Sequence, residues 1–211
     1  MTEQLPTPVY PARLEIDYTE QHDRMTTLFR IFMVIPIAIL SSVLTTGLFT
    51  NQDNQGARAS GGIVSGLFFA TLLMILCRRR YPRWWFDFAL ELTRFSTRIG
   101  AYFGLLTDQY PSTVEHQGVH LELDYPDVER DLNQWLPLVK WLLAIPHYFV
   151  LFVLYILAFF AVIFAWFAIL FTGRYPRGLF DFVVGVARWS LRVQAYAYLL
   201  ITDRYPPFSL T

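Results

Sequence analysis

Two short patterns of acids and arginines are the places where this chain could do chemistry. Asp87, Glu91, Arg94 and Arg98 stand at i, i+4, i+7 and i+11, one face of a helix. Asp181, Arg188 and Arg192 repeat that spacing, with Gly185 in the place of Glu91. Glu91 lies one turn from both Asp87 and Arg94 and can bridge them. Asp181 lacks that intermediary and must find Arg188 or an arginine from elsewhere. A charged helical stripe of this kind has two uses. It can meet water and lipid headgroups, or, when copies assemble about an axis, it can ring an aqueous vestibule that selects ions.

Other chemistry is sparse. His22, His116, His120 and His147 include no helical i, i+4 pair; His116 and His120 are four apart but precede or begin a stretch with strand periodicity, so no metal site is expected. His147 follows Pro146 inside an apolar run, where an ionisable residue is a functional candidate; a neutral, hydrogen-bonded ring is the expectation. The single cysteine, Cys77, excludes an intramolecular disulfide and a multi-thiolate metal centre. At the end of an apolar run it reads as a small buried hydrophobe. There is no phosphate loop, dinucleotide fingerprint or zinc spacing. No catalytic residue, cofactor or metal is predicted, and the chain is not expected to be an enzyme.

A second constellation is basic and aromatic. Arg78, Arg79, Arg80, Arg83, Trp84 and Trp85 cluster in the first half, and Arg174 and Arg177 match them in the second. Arginine binds phosphate through two parallel N–H donors, and a basic residue near an anionic leaflet contributes about 1 kcal/mol. With Trp135, Trp141 and Trp189, these tryptophans read as an aromatic belt at the membrane interface. Lipid headgroups, anionic ones first, are the expected ligands.

The composition agrees. Of 211 residues, 55% are apolar, 18% aromatic and only 16% charged, against roughly 25% charged in a soluble domain. The mean hydropathy is +0.36. A disordered chain and a nucleic-acid binder are excluded. The 17 basic and 17 acidic residues balance, and all the basic ones except Lys140 are arginine. Met1 to Tyr10 has no basic n-region, so no cleavable signal peptide is expected, and no lipidation motif is present.

The chain repeats itself. Arg13-Leu-Glu-Ile-Asp-Tyr18 returns as His120-Leu-Glu-Leu-Asp-Tyr125, and the block Arg30 to Pro36 as Lys140 to Pro146. Arg80-Tyr-Pro-Arg83 returns as Arg174-Tyr-Pro-Arg177, and Phe86-Asp-Phe88 as Phe180-Asp-Phe182. Arg94, Ser96 and Arg98 return as Arg188, Ser190 and Arg192, and Thr107-Asp108 as Thr202-Asp203, each before a Tyr-Pro. The order predicts a tandem duplication, with units 1–111 and 112–211 forming one integrated membrane domain.

Each unit opens with a period-two stretch, Leu14, Ile16 and Tyr18 or Leu121, Leu123 and Tyr125 alternating with polar residues, which predicts a strand. Apolar spans follow. The first unit has two, Leu28 to Phe49 and Gly61 to Cys77, separated by the polar loop Asn51 to Gly56. The second has one run, Trp141 to Phe171, about 46 Å long as a single helix against a hydrocarbon core of roughly 30 Å. By analogy with the first unit, this run is expected to be a hairpin turning near Tyr155 to Phe160; one long tilted helix is the rival. Tyr-Pro ends each hairpin and opens an amphipathic helix, expected to lie in the membrane interface, with a buried helix carrying a polar seam as the alternative.

The predicted fold is therefore mainly α and integral to the membrane. It is a tandem duplication of short strand, transmembrane helical hairpin and interfacial amphipathic helix, with about four transmembrane helices. Only Arg58 falls on the far side, so the positive-inside rule puts both termini in the cytoplasm.

The run Ala165-Trp-Phe-Ala-Ile-Leu-Phe-Thr-Gly-Arg-Tyr-Pro-Arg-Gly-Leu-Phe-Asp-Phe182, with Arg188-Trp189, Arg192-Val193, Tyr196 and Thr202-Asp-Arg-Tyr-Pro-Pro-Phe208, resembles the bacterial membrane-protein family called domain of unknown function 4389. The first unit departs from it at Cys77-Arg78-Arg79, where the second has Phe171-Thr172-Gly173. The resemblance implies a multi-pass protein of the bacterial inner membrane and carries no activity across. The functional expectation is a non-enzymatic membrane scaffold or accessory subunit. It would pack with itself or another membrane protein complex and bind lipid headgroups. The alternative is a homo-oligomeric channel or small-solute transporter.

Overall fold

A computed structural model describes residues 10–46, 63–112, 115 and 117–211. Loop residues Asn51 to Gly56, Arg58 and His116 lie outside the described residues.

The two period-two stretches are strands β1 (Ala12–Ile16) and β2 (Val119–Leu123). They pair antiparallel with Leu14 opposite Leu121 and Ile16 opposite Val119. Ala12, Leu14, Val119, Leu121 and Leu123 are buried on the inner face, while Glu15, Asp17, Glu122 and Asp124 are exposed on the outer one. A two-stranded ribbon is marginal alone; here its apolar face rests on helices.

Helices α1 (Arg24–Thr46) and α2 (Ile63–Arg78) follow β1, and α3 (Arg83–Phe103) closes the first half. After β2 come α4 (Val128–Asp131), α5 (Pro137–Leu143), α6 (Ile145–Thr172) and α7 (Arg177–Ala197). Asp127 caps α4 by accepting from the Glu129 N–H. Pro137 and Pro146 stand in the first turns of α5 and α6, where a missing N–H costs nothing.

Three layers result. The sheet covers α3 and α7, β2 touching α3 and β1 touching α7; α6 and α1 cover the other side of those helices. One apolar cluster runs through all three layers, from Leu14 and Leu121 through Ala89, Val183 and Val184 to Ala161 and Ala165.

This corrects the predicted fold. The run Trp141 to Phe171 does not turn at Tyr155 to Phe160. It is one 28-residue helix, α6, preceded by the short α5. The segment Tyr-Ile-Leu-Ala-Phe-Phe contains no Gly, Pro or polar residue to stop a helix, and only Gly173, left-handed at φ 74°, ends it. Among the described residues α6 is the one helix long and apolar enough to cross a membrane. Arg24 and the buried Arg30 sit in α1, and α2 has 16 residues. Four transmembrane helices in two equal hairpins are therefore not found. Of the two amphipathic helices, α7 is buried along most of its length between β1 and α6, whereas α3 rests on β2 and α1 and keeps Trp84, Phe88 and Phe103 exposed.

Candidate functional site

The ends of the two halves interlock. Tyr18, just past β1, donates its hydroxyl to the Tyr175 carbonyl at 2.7 Å and packs edge-on against Phe180, with Arg177 over its ring at 4.8 Å. Tyr125, past β2, does the same to the other copy of the motif. It donates to the Tyr81 carbonyl, meets Phe86 edge-on, and carries Arg83 over its ring at 5.1 Å. Each strand is thus fastened to the Arg-Tyr-Pro-Arg segment of the other half.

The arginine stripes serve the same purpose. Arg94 donates from Nε to the Leu121 carbonyl at 3.1 Å and from Nη1 to Glu91 at 2.6 Å. Arg188 donates from Nε to the Leu14 carbonyl at 3.0 Å and from Nη1 to the Leu210 carbonyl at 3.3 Å. Arg98 bonds the Ser112 carbonyl, and Arg192 the carbonyls of Ser209 and Thr211. These four guanidiniums face the chain's own backbone rather than a common aqueous axis. Asp87 and Asp181 are exposed, and neither forms an ion pair among the described residues, so the pairing expected of Asp181 with Arg188 is not made. Arg188→Ala is expected to loosen β1 from α7 and destabilise the fold by about 1–3 kcal/mol, the cost of a buried carbonyl losing a charged donor. Denaturant unfolding would measure it, and an unchanged midpoint would count against this role.

Arg78, Arg79, Arg80 and Arg83 do gather at one place. They line a cavity of about 730 Å³ between the end of α2, the start of α3 and α4, with Met74 on one wall and Tyr125, Asp127 and Glu129 on the other. Arg79 is left-handed at φ 48°, where the matching residue is Gly173, and it is held by a 2.7 Å bond from Nε to Gln134. A non-glycine residue in that region is strained, and the side-chain bond offsets part of the cost. Trp84 is exposed beside this cavity, whereas Trp85 donates from Nε1 to the Thr71 hydroxyl at 2.8 Å. Arg174 is exposed on the opposite half; with Arg177 it does not join the cavity.

Two ion pairs, each with a buried cation, escaped the sequence reading. Arg30 is 3% exposed. It donates from Nη2 to Asp108 at 2.5 Å and from Nη1 to the Tyr102 carbonyl at 3.1 Å, and stacks on the Tyr102 ring. Asp108 also meets His22 Nδ1 at 3.0 Å and accepts from the Asp23 N–H at 3.0 Å. In the other half Lys140, fully buried, meets Asp203 at 2.6 Å and donates to the Thr202 carbonyl at 2.7 Å; Asp203 accepts from the Asn133 N–H at 2.5 Å. Both acids follow a strained leucine by three residues, Leu105 at φ 62° and Leu200 at φ 58°, which turns the chain back toward the cation. Burial works against the Asp108 carboxylate, but His22 and the Asp23 N–H outweigh it and hold its pKa below the usual range. Burial lowers the Lys140 pKa despite Asp203. The signal was in the sequence: opposite charges recur at matching places in otherwise apolar segments.

No cluster of three or more His, Cys, Asp or Glu able to hold a metal occurs among the described residues. His147 is fully buried; its Nδ1 accepts from Trp189 Nε1 at 3.1 Å, and the ring stacks on Phe208 at 4.0 Å. That bond requires the lone pair on Nδ1 and so a neutral ring with its proton on Nε2. His120 is exposed, 3.2 Å from Asp17. Cys77 is exposed rather than buried, because it continues the outward face of Phe69 and Leu73 at four-residue steps along α2.

The outward surface is unusually apolar. Along α6, Phe149, Phe152, Ile156, Phe160, Phe164, Phe167 and Phe171 form one exposed stripe at helical spacing. Leu28, Phe29, Phe32 and Ile35 of α1, and Trp141 and Leu142 of α5, are exposed as well. Such a surface far exceeds the apolar patch a monomeric soluble protein leaves in water.

No curated protein and no solved structure matches this chain. Residues 137–209, which hold α5, the exposed apolar stripe of α6 and the whole of α7, match the family described as Domain of unknown function (DUF4389).

Proposed function

We propose that this chain is a non-enzymatic membrane scaffold or accessory subunit on the cytoplasmic face of a bacterial inner membrane. It embeds the α6 layer in lipid, grips phosphate headgroups with the Arg78, Arg79, Arg80 and Arg83 cavity, and leaves the charged sheet in water to meet a second copy or another membrane protein. The observation that carries this reading is the sidedness of the layers. The apolar residues exposed on α1, α5 and α6 oppose the exposed carboxylates of the sheet across α3 and α7. A four-residue turn sends α7 back against α6, and α7 lies on β1. Standing α6 upright in a bilayer would draw Glu15, Asp17, Glu122 and Asp124 toward hydrocarbon at about 2.5–3.5 kcal/mol for each charge reaching the centre. Lying in the leaflet plane, α6 buries its phenylalanines and spares the sheet. The channel alternative loses its charged ring, since Arg94, Arg98, Arg188 and Arg192 bond backbone carbonyls.

Vesicle flotation tests this. Changing Arg78, Arg80 and Arg83 together to Gln is expected to weaken binding to anionic vesicles at low salt on the order of a hundredfold, at about 1 kcal/mol per basic residue. The effect should shrink as salt screens it. A dye on a cysteine placed at Phe160 of the α6 stripe, with Cys77 changed to serine, should be quenched by brominated lipid and protected from aqueous iodide. Equal flotation of variant and parent on anionic vesicles would refute the headgroup assignment, and a dye open to iodide would refute the embedding.

A further inference from the structure

The arginine cavity is not uniformly basic. Arg78, Arg79, Arg80 and Arg83 line one wall, and Asp127 and Glu129, at the start of α4, line the other. Its volume of about 730 Å³ lies within the roughly 300–1,000 Å³ typical of small-ligand sites. Opposite charges around one cavity would ordinarily pair. Here Arg78, Arg80, Arg83 and Glu129 form no ion pair among the described residues.

Gln134 fixes the two walls to each other. It accepts from Arg79 Nε at 2.7 Å and donates from Nε2 to the Leu76 carbonyl at 2.6 Å, tying the segment after α4 to the end of α2. On the acidic side Asp127 is engaged. One of its oxygens accepts from the Glu129 N–H at 3.2 Å, and the other is 3.7 Å from Arg130. Glu129 is therefore the open carboxylate, set across the cavity from three open guanidiniums.

Such walls suit a ligand that carries an anion and a cation a few bonds apart. A phosphodiester fits the guanidiniums, which offer it paired N–H donors. A primary ammonium fits Glu129. A quaternary one is held by open aromatic faces, and the Tyr125 ring already carries Arg83 and meets Phe86 edge-on. Acyl chains have a path as well: Met74 lines the cavity, and Leu73 and Phe69 continue exposed along α2 away from it.

We infer that the cavity seats the headgroup of phosphatidylethanolamine, with its phosphodiester among Arg78, Arg80 and Arg83 and its ammonium at Glu129. This rests on the headgroup reading above and names which headgroup is held.

Native mass spectrometry of the delipidated full chain in detergent tests it, by titration with phosphatidylethanolamine and with phosphatidylcholine of the same chains. The two lipids share phosphate and net charge, so the arginines contribute equally and only the ammonium differs. One phosphatidylethanolamine should bind, and phosphatidylcholine about fivefold more weakly, the upper end of what one exposed ion pair is worth. Glu129→Gln keeps the fold, because the bond to the Asp127 cap uses the backbone N–H of residue 129. In that variant the two lipids should bind alike, whereas a rejection of the three methyl groups by size alone would survive the change. Glycerophosphoethanolamine, the headgroup without chains, should not displace the lipid at equal concentration. Equal binding of the two lipids by the parent, an undiminished preference in Glu129→Gln, or displacement by the soluble headgroup would each overturn the assignment. Equal binding that still falls when Arg78, Arg80 and Arg83 become Gln would overturn the ammonium contact and leave the phosphate reading standing, so the two failures are distinct.

Discussion

Changing Phe149, Phe152, Phe160 and Phe164 together to serine is expected to release the protein from vesicles to which the parent chain binds. These rings lie on one face of α6 and are between 51% and 72% exposed, so the change removes lipid contact and leaves the core intact. Moving one such side chain from water to an apolar medium is worth about 1.5–3 kcal/mol. Four of them amount to roughly 6 kcal/mol or more, a partition change on the order of ten-thousandfold. Flotation in a density gradient reads this directly. The folded state should persist, as circular dichroism of the released chain would report. The control is Ala161 and Ala165, which are buried against the core. Enlarging either to leucine should destabilise the fold by about 1–3 kcal/mol through overpacking, without a specific effect on partition. If the four-serine variant floats like the parent, α6 is not the lipid-facing element.

The second large effect concerns the buried pairs. Removing one partner of a buried ion pair leaves the other charge uncompensated and costs about 3–5 kcal/mol. Asp108→Ala is expected to do this to the buried Arg30, and Asp203→Ala to the buried Lys140. By contrast, replacing both Arg30 and Asp108 with apolar residues of similar volume should cost much less than either single change, because no charge is stranded. A double-mutant cycle on chemical unfolding measures the difference; additivity of the two single effects would show that the pair is not coupled.

The pH dependence has a definite sign. The pKa of Asp108 is lower in the folded state than in the unfolded chain. Its stabilisation is therefore complete above the ordinary aspartate pKa of about 3.9 and is lost as pH falls through the folded value. Lys140 is also lowered. The unfolded chain then holds that proton to higher pH than the folded one. Its contribution makes stability rise as pH climbs from the folded value toward the ordinary lysine pKa of about 10.4. Asp108→Asn should flatten the acid limb of the stability profile and leave the alkaline limb unchanged.

Much of the architecture could be read locally. Alternation at Leu14, Ile16, Leu121 and Leu123 marked both strands, since a ribbon with one buried face imposes period two on its residues. Tyr81-Pro82 and Tyr175-Pro176 marked the starts of α3 and α7, because proline suits a first helical turn and bars the residue before it from helical geometry. The arginines of the cavity and the neutral state of His147 were likewise visible in residue type and neighbours. These features depend on chain geometry over a few residues, which the sequence by itself determines.

What the sequence did not contain was the choice among partners far away along the chain. Trp141 to Phe171 had an apolar pattern compatible with a hairpin or a single helix. The decision fell to packing, since α6 as one helix runs along α7 and α1 and no residue in its middle breaks the hydrogen-bond ladder. The charged stripes pointed to water or headgroups by composition. Register alone places the Leu14 and Leu121 carbonyls beneath Arg188 and Arg94 and turns those side chains inward. The exchange by which Tyr18 docks on the second half and Tyr125 on the first joins residues 157 and 44 apart in the chain, which the pairing of β1 with β2 brings together. Arg30 and Asp108 are 78 residues apart, and only the closed fold buries the arginine, which makes its pairing with the half-buried acid obligatory. Local periodicity thus set the elements, while long-range burial of polar groups decided how they join and which apolar face is left exposed.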